Sequence, residues 1–389
     1  MAQAPIVPVG GIDPMAEYPQ DGATFKASRT FYRGEHASRY PNDASLDTVD
    51  AIPTYMVKGL VPSAPMIGPE TVTVAFGSCF ARYLADHLNG IGYNVATRRD
   101  SQAYISNMGD GIVHTYAIRQ QFEWAWENRV PAVELWHGYR GEEFGYDPAV
   151  RLKTKEIFDS ADVFILTLGL SEVWYDEPTG EVFWRAVPSD KVDPKRHKFR
   201  LATYAENLAN LNAIHSLIRR HRPAATIVFT LSPIPLTATF RDIPCVVANS
   251  ASKASLRSAL DAFMAEHRDD AGLFYFPSYE ITRDLFDRPF AGDRRHPHMH
   301  IVEFNVALFE RYFCQSGKTD DELLERWRKA RAEDMAMRSR TSEEAHANYT
   351  VALGAVLERR REERREARRQ ARRQARIDAR RKAAQDGAK

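Results

Sequence analysis

Gly77, Ser78 and Cys79 follow a short β-branched run and precede a helix-spaced set of apolar residues, and Asp293 and His296 stand three apart late in the chain. A glycine lets the backbone turn sharply between strand and helix. The two residues after it then lie at or just before a helix N-terminus. Backbone N–H groups there steady a developing oxyanion, and the helix dipole lowers a thiol pKa. A nucleophile on such a turn still needs a base. Asp293 can orient the His296 ring, and the ring can take the proton. Two nucleophiles stay open, the Cys79 thiol and the Ser78 hydroxyl. The bland readings are a small residue packing a helix start for Cys79 and a loop cap for Asp293 and His296.

These residues need elements to hold them together. Thr71 to Phe76 is a β-branched run of strand length. Phe80, Tyr83, Leu84, Leu88 and Ile91 follow at helical spacing, and Tyr93 to Thr97 reads as a second strand. Ile112 to Asn128 reads as a helix, Asp162 to Leu168 as an apolar strand, and Ala202 to Arg220 as a helix ended by Pro223. Thr226 to Leu231 is a further strand, Ser250 to His267 a helix, Leu273 to Phe276 a last strand and Val302 to Tyr312 a helix. About five short apolar strands alternating with helices predict an α/β fold, a three-layer doubly wound parallel sheet. In such sheets ligands bind beyond the carboxyl ends of the strands. Small and polar residues gather there: Gly77-Ser78-Cys79, then Ser106, Asn107, Gly109 and Gly111, then Gly169, Ser171 and Glu172, then Ser232, then Ser278 and the Asp293/His296 pair.

Composition narrows the setting. The chain has 389 residues and three scattered cysteines, Cys79, Cys245 and Cys314, too few for a disulfide framework or a structural zinc site. The N-terminus lacks the pattern of a signal peptide, and no apolar run is long enough to span a bilayer, so a cytoplasmic location is expected. The net charge of +1 hides a segregation. Glu358 to Lys389 holds twelve Arg and two Lys against six acidic residues, a net of +8, which leaves 39 basic and 46 acidic residues for the rest. Arg360, Arg364, Arg368, Arg372, Arg376 and Arg380 recur every four residues with almost no apolar stripe. That pattern predicts a solvated or binding-induced helix whose partner is anionic, a nucleic acid or a membrane surface.

The chain resembles a known family at several points in order. Gly77-Ser78-Cys79-Phe80-Ala81 spells the five residues that name the GSCFA family, and Thr167 through Trp174, Leu231 through Leu236, Asn249 with Ser252 and Lys253, Phe276 through Glu280, and Asp293 with His296 are similar too. The resemblance spans roughly residues 50–315. It implies a branch of the SGNH (GDSL-like) hydrolases and polysaccharide acyl-esterases, with a flavodoxin-like sheet, a nucleophile after the first strand and an Asp-x-x-His pair. There are departures. Where SGNH enzymes have Gly-Asp-Ser, this chain places Ser78 in the Asp position and Cys79 in the nucleophile position. Where they have Gly-x-Asn-Asp, Gly169 is followed by Leu170, Ser171 and Glu172, so Ser171 stands in for the oxyanion-donating Asn. The second-block glycine is either Gly109 or Gly111.

Together these readings predict an SGNH-like esterase or acyltransferase working through a covalent acyl-enzyme. Its catalytic residues would be Cys79 or Ser78 with Asp293 and His296. Gly77, Asn107, Gly109, Gly111, Gly169, Ser171 and Glu172 would hold the oxyanion or substrate. The resemblance implies a small-molecule or glycan acyl substrate, no required cofactor or metal, and an acyl donor such as acyl-CoA for a transferase. Two alternatives stand beside it: an inactive binding protein on the same fold, and an interaction protein run by its basic tail. Asn249, Ser252 and Lys253 would sit at a helix N-terminus as a cap or a substrate contact, and Trp124, Trp126, Trp136, Trp174 and Trp184 would pack the core or line a sugar cleft. The expected organisation is an irregular arm over 1–70, the α/β domain over 71–316, a helical extension over 317–354 and the basic tail over 355–389.

Overall fold

The computed structural model describes residue 38 and residues 40–99, 103–107, 111–133 and 146–337, with the backbone of 16–20 and 23–27. The basic tail, Trp136 and Gly109 lie outside the described residues. The chain divides into two units, 1–55 and 56–389. In the first, β1 (Ala16–Gln20) pairs antiparallel with β2 (Ala23–Ala27), and two short helices follow, α1 (Asp43–Leu46) and α2 (Ala51–Tyr55). The arm expected to be irregular thus carries regular elements. Its last part, residues 56–70, belongs to the second unit. There the N–H groups of Met66 and Ile67 donate to the Phe313 carbonyl, and Gln315 N–H donates to the Ile67 carbonyl.

The second unit opens with β3 (Thr73–Phe76), α3 (Cys79–Gly90), α4 (Ala96–Arg99), α5 (Tyr104–Asn107), α6 (Thr115–Glu127) and α7 (Pro148–Ser160). It continues through β4 (Val163–Leu168), β5 (Glu172–Asp176), β6 (His197–Leu201), α8 (Tyr204–His221), β7 (Thr226–Leu231) and α9 (Cys245–Glu266). It closes with β8 (Leu273–Phe276), α10 (Ser278–Asp284), α11 (Met299–Phe313) and α12 (Asp320–Met337). The strands β3-β4-β7-β8 form a parallel sheet in that order.

The fifth strand expected at 93–97 is reduced to one bridge, Val95 to Thr73. Thr73 N–H still reaches the Asn94 carbonyl, but the Thr97 hydroxyl rather than a backbone group meets the Ala75 carbonyl, because the chain has already turned into α4. With Val95 counted, the spatial order is 2-1-3-4-5, that of a flavodoxin-like sheet. The other sheet is a two-stranded antiparallel ribbon, β5 with β6, inserted after β4.

Both faces of the parallel sheet are covered. Val74, Phe76, Phe164, Leu166, Ile227, Phe229 and Tyr275 share one face, as the strand period of two requires, and join a buried cluster with α6, α7, α8 and α9. Phe122 and Phe158 meet at its centre with ring centroids 4.5 Å apart. On the opposite face Phe80 of α3 stacks on Phe276 at 5.8 Å, and Phe276 meets Phe309 of α11 at 5.4 Å. The extension expected at 317–354 contributes α12, which packs on α11. Among the described residues no helix is long and apolar enough to cross a membrane.

One ion pair ties the ribbon to the layered body and gives a pH signature. Thr203 and Glu206 cap α8 reciprocally, and Glu206 also accepts from both terminal nitrogens of Arg200 and from the Tyr116 hydroxyl. Burial pushes the Glu206 carboxyl up, but the bonds from Arg200, Thr203 and Tyr116 outweigh it and bring the carboxyl down to about 2. A carboxyl depressed on folding stabilises above its unfolded pKa, and that contribution is lost as pH falls through the folded value. Glu206→Gln should therefore cost about 1–2 kcal/mol at pH 7. The gap to wild type should close between pH 4.5 and pH 2, as read from denaturant melts across that window.

Candidate active site

The turn after β3 is built around one glycine. Gly77 has φ of 126°, and a Cβ there would lie 2.1 Å from the Thr167 carbonyl oxygen of β4. No L side chain fits that conformation or that space, so Gly77→Ala should cost more than about 3 kcal/mol or prevent folding, as a thermal melt would show. Ser78 follows in an extended conformation as the N-cap of α3, but its side chain makes no capping bond. Instead the buried Ser78 hydroxyl donates to the Ser232 hydroxyl at 2.8 Å, just past the end of β7. Cys79 is the first residue of α3 and is half-buried. All three cysteines are described and none forms a disulfide. An α-helix leaves its first N–H groups without intrahelical acceptors, and here the N-cap side chain does not take them.

The Asp293/His296 pair lies in the loop between α10 and α11. His296 Nδ1 and Asp293 Oδ2 are 2.5 Å apart, and Asp293 Oδ1 accepts from the N–H groups of Arg295 at 3.0 Å and His296 at 3.1 Å. Arg294 takes a left-handed conformation, φ 57°, which folds the loop tightly enough for these bonds. Burial pushes the Asp293 carboxyl up, but the His296 ring and the two backbone N–H groups prevail and hold it below the usual range. A carboxylate on Nδ1 makes Nε2 the basic nitrogen. The Arg295 guanidinium donates to the Pro235 carbonyl at 3.2 Å, and Ile234 N–H donates to the Ser232 hydroxyl at 3.3 Å. Segment 232–235 thus links the Asp293/His296 loop to the Ser78 turn.

The remaining expected residues divide. Gly111 lies under the Arg185 guanidinium, which comes within 2.7 Å of where a Cβ would stand. Asn107 ends α5, and its side chain, like Gly109, lies outside the described residues. Gly169 is packed against the second loop. Its N–H donates to the Val113 carbonyl at 2.7 Å, and a Cβ would meet Val113 at 2.8 Å. Ser171 does not fit the donor role expected of it. It is fully buried, its hydroxyl donates to the Ser252 carbonyl at 3.0 Å, and its N–H donates to the Ser252 hydroxyl. A hydroxyl has one proton, and this one is committed to a structural bond. Glu172 begins β5, with its carboxylate buried and 3.4 Å from Arg241.

Two residues near the turn are more closely engaged than their sequence positions indicate. Ser232 was visible only as a polar residue at a strand end. Lys253 is expected at a helix N-terminus, as a cap or a substrate contact, but α9 begins at Cys245, which puts Asn249, Ser252 and Lys253 inside the helix. Asn249 accepts from Leu236 N–H at 3.1 Å. Lys253 is 2% exposed and donates to the Gly169 carbonyl and, at 2.7 Å, to the Ser232 carbonyl. Burial, helped by the nearby Arg283 charge, lowers it to about 7.

His298 and His300 follow the pair at the start of α11. They stack on each other 5.5 Å apart, and His300 faces Glu333 of α12. Burial, then the His298 charge, lowers His300 to about 4. Trp124, Trp126 and Trp184 are core residues, and Trp174 is partly buried beside Phe240.

The arrangement holds a half-buried thiol at a helix start, a carboxylate-oriented imidazole and a chain of small polar residues at one edge of a parallel sheet. Comparison with solved structures gives an acetyl xylan esterase from the rumen bacterium Butyrivibrio proteoclasticus, 14% identical over 56% of each chain with a TM-score of 0.22. No curated protein matches the chain. The family model of the GSCFA family matches residues 72–309, which takes in the Gly77 turn, both β4 and β7 ends and the Asp293/His296 loop, and the chain belongs to the GSCFA family.

Proposed function

We propose that the chain is an SGNH-like esterase or acyltransferase that works through a thioester on Cys79. The observation that carries the reading is the Asp293–His296 pair tied, through segment 232–235, to the turn that presents Cys79. Ser78 is the weaker nucleophile on this geometry, since its hydroxyl is buried and already donates to Ser232. His296 Nε2 takes the thiol proton as Sγ attacks the ester carbonyl. The tetrahedral oxyanion collapses, the C–O bond breaks, and the leaving alkoxide receives the proton from His296. Water or an acceptor alcohol, deprotonated by His296, then attacks the thioester and releases the thiolate. Asp293 holds the ring and stabilises the imidazolium.

The committed Ser171 hydroxyl favours one second reading, a binding protein that retains the fold without turnover. Stopped-flow mixing with p-nitrophenyl acetate separates the two. The acyl-enzyme reading expects a burst of nitrophenolate of about one equivalent per chain, whereas a binding protein gives none.

A further inference from the structure

Along the chain just beyond β4, the backbone N–H groups have clear destinations but for one. Gly169 N–H donates to the Val113 carbonyl and Ser171 N–H to the Ser252 hydroxyl. Between them, Leu170 N–H meets no acceptor among the described residues. Backbone donors in proteins are almost always paired, with protein or with water, so one without an acceptor in the chain at a sheet's ligand-binding edge is open to an acceptor from outside, water or a bound ligand. Leu170 is half-buried and stands at that edge.

The other end of the same peptide is held firmly. The Gly169 carbonyl accepts from the ammonium of Lys253, which also donates to the Ser232 carbonyl at 2.7 Å. Ser232 follows β7, so Lys253 grips the Gly169 peptide from the β7 side. A trans peptide is planar, with its N–H directed opposite its carbonyl. Leu170 N–H is therefore directed away from Lys253. β3 lies next to β4, and its Gly77 turn packs so close to Thr167 that a Cβ there would lie 2.1 Å from its carbonyl oxygen. A donor bonded to a carbonyl also polarises the peptide and strengthens the N–H at its other end.

We infer that Leu170 N–H is an oxyanion-hole donor for the Cys79 acyl transfer, and that Lys253 is the positioning residue that fixes and polarises its peptide. This rests on the reading of the chain as an acyl-transfer enzyme. When the Sγ–C bond forms, the carbonyl π pair moves onto oxygen, and Leu170 N–H donates a hydrogen bond to that oxygen without giving up its proton. The assignment fills the place that the Ser171 hydroxyl leaves empty. Neutral or charged, the Lys253 amine has protons for both carbonyls.

The test compares two reactions of the same thiol. Acylation of Cys79 by p-nitrophenyl acetate builds an oxyanion, whereas alkylation by iodoacetamide does not. Lys253→Met and Leu170→Pro should each slow acylation by about 10²-fold, leave alkylation within about two-fold, and Lys253→Arg should recover part of the loss. Leu170→Pro removes the donor without touching the lysine, so it carries the test if Lys253→Met does not fold. Acylation unchanged in a folded variant, or acylation and alkylation falling together, overturns the inference while the acyl-transfer reading stands. A wild type that is alkylated at Cys79 yet never acylated overturns that reading, and this inference with it.

Discussion

Cys79→Ala should yield a folded protein that takes up no acyl group. The alanine keeps the first residue of α3 small and half-buried, so stability should change little. The covalent route disappears, and removing a nucleophile of this kind lowers the rate by about 10⁴-fold or more. Ser78 should not replace it, because Ser78 is the buried N-cap and its hydroxyl donates to Ser232. Ser78→Ala should behave differently. It removes one buried donor from Ser232 and should lower the rate only modestly, since the thiol, the base and the turn all remain. A steady-state assay of both variants on an activated acetate ester checks the contrast.

His296→Ala should have the second largest effect, a loss of about 10²–10³-fold at neutral pH. The loss has a pH shape. A thiolate needs no base, so the variant recovers as rising pH ionises the thiol. The gap between wild type and variant should therefore narrow as pH rises. Asp293→Asn should show a smaller loss than His296→Ala, through the wrong ring tautomer. The Asp293 carboxyl lies below its usual range, so an acidic limb in the wild-type profile belongs to another group. Rates measured from pH 5 to 9 for the three proteins test all of this.

What was legible in the sequence follows from how local each signal is. β4 and β7 are buried along their whole lengths, so Val163–Leu168 and Thr226–Leu231 read as unbroken apolar runs. α8 was marked by Pro223 beyond its end, and Thr203 caps its start. The Gly77 turn and the Asp293/His296 pair are each encoded within a few residues, and both were found. The failures are long-range. Val95 looked like a strand residue, but a single bridge to Thr73 is all that the turn into α4 allows. The start of α9 was hidden because Val246 and Val247 are 80% and 53% exposed and blur the helical stripe. With the start misplaced, Lys253 passed for a cap residue. Ser171 was misread as a donor because its partner, Ser252, is 81 residues away. The β5–β6 ribbon escaped because its second strand, His197–Leu201, carries His, Lys and Arg among only two apolar residues.

The most direct test of the central claim is peptide-mapped mass spectrometry of the full chain after brief reaction with p-nitrophenyl acetate. An acetyl group on the peptide containing Cys79, absent from Cys79→Ala and strongly reduced in His296→Ala, is the expected result. Acetylation of Ser78 instead, or acetyl groups scattered over surface lysines with none at Cys79 in the folded protein, would contradict it.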